Sequence, residues 1–170
     1  MIYDDDIQAM KDIVDVCVGI PRFSYEMQLN APRPADNYAA IKCESSVNPG
    51  FDETRIEVRN GEEVFVTRGI RILTFYILFS RRGSEYVKFD NSLYRPDVLA
   101  TLKKKGFATL DKKPLNLASL TLETNWEFRE GIQIKFNVLR EDVMNIGTMS
   151  NAHVGGIFYD GNEPIIIKGT

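Results

Sequence analysis

Gly69-Ile70-Arg71-Ile72-Leu73-Thr74-Phe75-Tyr76-Ile77-Leu78-Phe79-Ser80 decides the fold. Successive side chains of an extended chain point to opposite faces. Ile70, Ile72, Tyr76 and Leu78 therefore fall on one side, and Leu73, Phe75, Ile77 and Phe79 on the other. A strand apolar on both faces belongs in the middle of a sheet, so the sequence predicts cover on both sides.

Upstream, residues 54–59 and 62–68 flank Asn60-Gly61, a dipeptide that favours a tight hairpin turn. Apolar and charged residues alternate in both arms. The sequence thus predicts a hairpin with one wet face, exposed enough for protein contact. Asn48-Pro49-Gly50 marks a turn before it, and residues 38–44 form a strand through Ile41 and Cys43. Residues 23–29 alternate as a further short strand. A helix is expected over residues 5–18, because Ile7, Met10, Ile13, Val14 and Cys17 recur at three- and four-residue spacings. Asp5 with Gln8 has the spacing of a capping box, the acidic cluster suits the positive end of the helix dipole, and Gly19 and Pro21 end the helix.

Downstream, residues 83–105 read as helical, with Tyr86, Phe89, Leu93, Val98, Leu99 and Leu102 as buried positions. Pro96 should kink or divide that helix, with Asp97 just inside the second start. Lys103-Lys104-Lys105 before Gly106 is a helix-end charge cluster. After a looping segment, residues 119–129 and 132–140 read as two strands, with Glu130-Gly131 as a turn or bulge between them. From Glu141 the pattern dissolves. Residues 145–156 are rich in Gly, Ser and Asn, and Ile165-Ile166-Ile167 is an isolated apolar island.

The chain has 170 residues, 44% of them apolar and 26% charged, with a net charge of −3. That fits one globular domain, or a domain plus an arm. An acidic balance argues against gripping nucleic-acid phosphates by bulk electrostatics. No apolar run approaches the length that spans a bilayer. Asp4-Asp5-Asp6 stands where a secretory signal would carry positive charge, so a cytosolic site of synthesis is expected. Cys17 and Cys43 are expected to be free thiols.

Catalytic patterns are not legible. The single histidine, His153, lacks the partners of a metal site or a nucleophilic triad. Gly155-Gly156 is not followed by the Lys and Ser or Thr of a phosphate loop. The clustered acids, Asp4 to Asp6 and Glu62-Glu63, have structural explanations at a helix start and a hairpin turn. No catalytic residue, cofactor or metal is therefore expected.

Asn30-Ala31-Pro32-Arg33-Pro34, with Asp36-Asn37-Tyr38-Ala39-Ala40-Ile41 behind it, forms a rigid extended connector that delivers the chain into a strand. With Trp126-Glu127-Phe128-Arg129 and the order of elements, it makes residues 2–140 resemble the neck or tail terminator proteins of long-tailed bacteriophages. The resemblance implies a non-enzymatic virion subunit of a homohexameric ring. Such a ring ends the tail tube, faces tube and sheath below and the head connector above, and lets DNA pass through its lumen without specific binding. By that resemblance Arg33 and Arg129 would occupy matched family positions with a structural or interfacial role, and Arg33 would pair with a carboxylate across a subunit boundary. A rival reading is a small α+β enzyme or ligand-binding domain with a carboxylate site.

Periodicity predicts an α+β fold, a mostly antiparallel twisted sheet packed by two main helices. Residues 1–140 form the expected domain and residues 141–170 an extended C-terminal arm. The expected interface residues are Arg33, Asn60, Gly61, Arg129, Ile165, Ile166 and Ile167.

Overall fold

The computed structural model describes residues 2–27, 34–80, 84–115, 121–122, 125–126 and 130–146. Most of the proline connector, Arg33, Arg129, His153 and Ile165–Ile167 lie outside the described residues. The elements run α1 (Asp4–Val18), β1 (Ser24–Glu26), β2 (Ala39–Val47), β3 (Glu53–Arg59), β4 (Glu62–Phe79), α2 (Ser84–Ser92), α3 (Pro96–Lys105), β5 (Phe107–Pro114), β6 (Thr121–Leu122), β7 (Asn125–Trp126) and β8 (Glu130–Asn145). The fold is α+β, with a six-stranded, mostly antiparallel sheet and three helices among the described residues. Its described residues divide into two compact units, 2–51 with 69–140 and 52–68 with 141–146. β4 and β8 supply backbone to both.

In the first unit the strand order is β1-β2-β4-β8-β5. β2 runs antiparallel to β4, Ala39 opposite Phe79 and Val47 opposite Ile72, with a register shift between Cys43 and Ser45. β1 is parallel to β2, Ser24 opposite Ala39. A parallel pair cannot be closed by a tight turn, which is why a connector of a dozen residues separates the two strands.

α1 packs Ala9, Met10, Ile13, Val14, Cys17 and Val18 into one core with Phe89, Leu93, Val98 and Leu102 of the α2–α3 segment. The sheet contributes Leu73, Phe75, Ile77 and Phe79 from β4, and Ile132, Ile134, Phe136 and Val138 from β8. Rings meet edge-on within it, Phe107 with Phe136 at 5.2 Å and Phe79 with Tyr86 at 5.7 Å. Such pairs add about 0.5–1.5 kcal/mol beyond their area.

Several expectations need correction. Among the described residues, helices pack against one face of the sheet. On the opposite row of β4, Ile70 is 49% exposed, while Ile72, Tyr76 and Leu78 are half-buried. That row has polar company, since Gln133 Nε2 donates to the Tyr76 hydroxyl at 3.2 Å. Of the two outcomes expected at Pro96 the division is what forms, with the proline at the first position of α3. Leu99 lies on the outer side of α3 and is 46% exposed. The α1 cap is not Asp5 with Gln8. Tyr3 is the N-cap residue, and the Asp6 carboxylate accepts its amide at 3.0 Å. Gln8 instead donates to Asp12, one turn on, at 2.8 Å.

The segment expected to loop after Gly106 contains β5, antiparallel to β8. Its alternation is hidden by Asp111, Lys112 and Lys113, and Lys112 is drawn to Asp90 of α2, 2.6 Å away. Residues 119–129 hold a two-residue pair, β6 with β7. Glu130-Gly131 is neither turn nor bulge but the start of β8, which continues past Glu141 to Asn145. Gly131 sits at a close approach. A Cβ there would lie 2.6 Å from a Leu78 methyl and 2.9 Å from a Leu115 methyl. Cys17 and Cys43 are free thiols, the first buried and the second half-buried.

Candidate assembly surfaces

The second unit is built on the hairpin of β3 with the first part of β4. Asn60 (φ 54°) and Gly61 (φ 83°) both adopt left-handed geometry, the requirement of the two-residue turn that asparagine and glycine satisfy. The register runs from Glu53 opposite Arg68 to Arg59 opposite Glu62. Directly opposed residues share a face. One face thus carries Glu53, Arg55, Glu57 and Arg59 across from Glu62, Val64, Val66 and Arg68. The other carries Ile56 across from Phe65 and Val58 across from Glu63.

The single wet face expected from the sequence is therefore not what forms. Val64 and Val66 of β4 fall on the face opposite Ile56 and Val58 of β3, because an even-numbered residue of β3 pairs with an odd-numbered one of β4, while Phe65 shares the face of Ile56. Val64 and Val66 are buried, whereas Ile56 and Val58 are 63% and 70% exposed. Each face is mixed, and Ile56 and Val58 form an exposed apolar stripe on β3.

On the charged face, Arg55 and Arg59 both reach Glu57, the latter at 2.8 Å. Glu141 from β8 accepts Arg59 Nη1 at 2.9 Å and Arg68 Nε at 2.9 Å, with a second ion pair to Arg68 Nη2. These two guanidiniums hold its carboxyl well below the usual range, at about 2. Farther along, Asn145 Nδ2 donates to Glu62 at 2.6 Å, and the Ile146 amide reaches the Glu63 carbonyl at 3.4 Å. Charged hydrogen bonds thus lace the end of β8 to the hairpin, on the sequence side where the regular pattern was expected to dissolve.

The first unit has two further surface features. The turn after β2 displays Phe51 fully exposed, with Val47, four residues earlier at the strand end, 52% exposed. Gly50 donates its amide to the Asn48 side chain at 3.1 Å, which shapes that turn. A cleft of about 330 Å³ is lined by Ile20, Phe23, Asp36, Asn37 and Glu85. Its Ile20–Phe23 wall is fixed by Asp15 of α1, whose carboxylate accepts the Arg22 amide at 2.7 Å, the Ser24 amide at 2.9 Å and the Ser24 hydroxyl at 2.7 Å. Arg95 closes the neighbouring end of α1 by donating to the Val16 carbonyl at 2.7 Å while it pairs with Asp97.

Of the expected interface residues, Asn60 and Gly61 are placed at the hairpin tip. Arg33, Arg129, Ile165, Ile166 and Ile167 fall outside the described residues. Sequence reasoning missed Ile56, Val58, Phe51 and Glu141. Phe51 next to Asn48-Pro49-Gly50 was a usable signal, because a large apolar residue on a turn has no strand face to hide in. Among the described residues no group of three or more His, Cys, Asp and Glu side chains could hold a metal ion, and no helix is long and apolar enough to cross a membrane.

No curated protein matches the chain. A family model does, that of the phage neck terminator protein, and it covers residues 7–162. The match takes in every described element except the first residues of α1 and so spans both compact units. This chain belongs to the phage neck terminator protein family and is a structural protein of the phage neck.

Proposed function

We propose that the chain forms a homohexameric ring at the head–tail junction, stops growth of the tail tube and presents the surface on which the head connector docks. The family match over residues 7–162 carries this reading. The work is assembly rather than turnover. Tail tube and possible sheath proteins meet the lower side, the connector meets the upper side, and DNA passes the lumen without specific binding. The protein is assembled in the host cytoplasm and ends in the virion.

A ring needs two unlike lateral surfaces that meet head to tail and close by rotation. The β3–β4 hairpin supplies one candidate contact through Asn60-Gly61 at its tip and the Ile56–Val58 stripe beside it. Residues 1–140 act as the terminator domain and 141–170 as an arm. In the arm, Ile165, Ile166 and Ile167 add a strand to a neighbour's sheet edge. Arg33, between its prolines, pairs with a carboxylate across a subunit boundary, and Arg129 has a structural or interfacial role.

Native mass and negative-stain imaging across a concentration series test the ring. A closed ring with an axial hole is expected. A monomer at every concentration rules out self-assembly, and failure to bind isolated tail tubes then overturns the terminator role. A small enzyme or ligand-binding domain would give a monomer or dimer and would ignore the tubes.

A further inference from the structure

Phe51 and the cleft walled by Ile20 and Phe23 lie at opposite ends of β2 in the same compact unit. Asp36 and Asn37 lead into the strand at Ala39, and Phe51 follows its end at Val47. A strand of nine residues separates the two by about 30 Å. A fully exposed phenylalanine is costly in water, and burying one contributes about 1.5–3 kcal/mol. Nothing in its own turn shields Phe51, which stands on Asn48-Pro49-Gly50.

The cleft is open and offers room for a ring between apolar and acidic walls. Its volume, about 330 Å³, exceeds that of a phenyl side chain. Phe23 is almost fully buried and supplies an aromatic wall, and Ile20 is 39% exposed and supplies an aliphatic one. Asp36 and Glu85 complete the lining. An aromatic ring presents a positive edge to carboxylates, whereas an aliphatic anchor would give them nothing.

A projection and a recess at opposite ends of one strand cannot satisfy each other within one molecule. They can between successive copies, and the contact is head to tail, the kind that makes rings or filaments rather than two-fold dimers. We propose that Phe51 of one subunit inserts into the Ile20–Phe23 cleft of a second copy of this chain, as the aromatic anchor of the lateral contact. This contact presupposes the self-assembling ring proposed above and adds the residues that make it.

Cross-linking tests it. Phe51→Cys and Ile20→Cys are made as separate single variants, mixed and oxidised, with exposed Leu99→Cys replacing one partner as the control. Cys17 and Cys43, whose thiols burial pushes up to about 11, give little background in the wild type. The expected result is a Phe51–Ile20 disulfide dimer about tenfold above the control, and a ladder of covalent oligomers from the double variant. Phe51→Ala, exposed and therefore harmless to folding, should raise the concentration for half-assembly about tenfold or more. If wild type forms rings, the cross-link stays at control level and Phe51→Ala assembles normally, the contact is overturned while the ring stands. If wild type is monomeric at every concentration and no cross-link forms, contact and self-assembling ring fall together.

Discussion

Asp6 and Arg140, 134 residues apart in sequence, form an ion pair that ties the first turn of α1 to β8. The Asp6 side chain is 5% exposed, and its other oxygen accepts the Tyr3 amide at 3.0 Å. Arg140 also stacks on the Tyr3 ring, 4.9 Å from its centroid. Removing one partner leaves a buried charge without its counter-ion. Arg140→Met leaves the Asp6 carboxylate, 5% exposed, without its counter-ion and should destabilise the protein by about 3–5 kcal/mol, read as a lower urea midpoint. Asp6→Asn should recover part of that loss in the double variant, because the uncompensated charge is then gone.

Gly131 makes a second prediction. Leu78 and Leu115 occupy the space a Cβ would need, with the Ile77 carbonyl 3.4 Å away. The obstructing atoms are ends of leucine side chains, which can turn aside. Gly131→Ala should therefore cost only about 1–2 kcal/mol, and Gly131→Val more, about 2–3 kcal/mol. Thermal melts of the two variants would show the graded loss. Equal melting points for wild type and Gly131→Val would refute the close packing.

Much of this fold was legible because its signals are local. The 3.6-residue stripe of α1, the Asn60-Gly61 turn and the proline at the start of α3 each fix geometry over a few residues. The misses share a different cause. Which face of β4 is covered depends on where the helices pack, and which hairpin residues share a face depends on pairing register. β5 escaped notice because Asp111, Lys112 and Lys113 break its alternation, with Lys112 paired to Asp90 and Lys113 to Asp111. The candidate surfaces were less legible still. Ile56 and Val58 look like ordinary alternation until the register turns them away from Val64 and Val66.

The two thiols should be sluggish nucleophiles. Burial is the main cause that pushes Cys17 and Cys43 from an ordinary 9.0 up to about 11. At neutral pH this lowers the thiolate fraction about a hundredfold. Labelling with a chromogenic disulfide at pH 7.5 should be slow in the native protein and fast in denaturant. Rapid native labelling of either cysteine would contradict the burial.

Glu141 gives a pH dependence with a definite sign. Hydrogen bonds from Arg59 and then Arg68 lower its carboxyl from 4.5 to about 2 in the folded chain. The folded state therefore holds fewer protons at this site than the unfolded state in that interval. Its stabilising contribution is complete above about pH 4.5 and is lost as the pH falls towards 2. Because the group is near solvent, the contribution should also shrink with salt. Carboxyl-carbon NMR should report a Glu141 midpoint near 2, moving up towards 4.5 in Arg59→Gln. Melting curves of wild type and Glu141→Gln should differ at pH 7 and converge between pH 4.5 and 2. A Glu141 midpoint already at 4.5 in the wild type would mean that β8 is not held to the hairpin by this carboxylate.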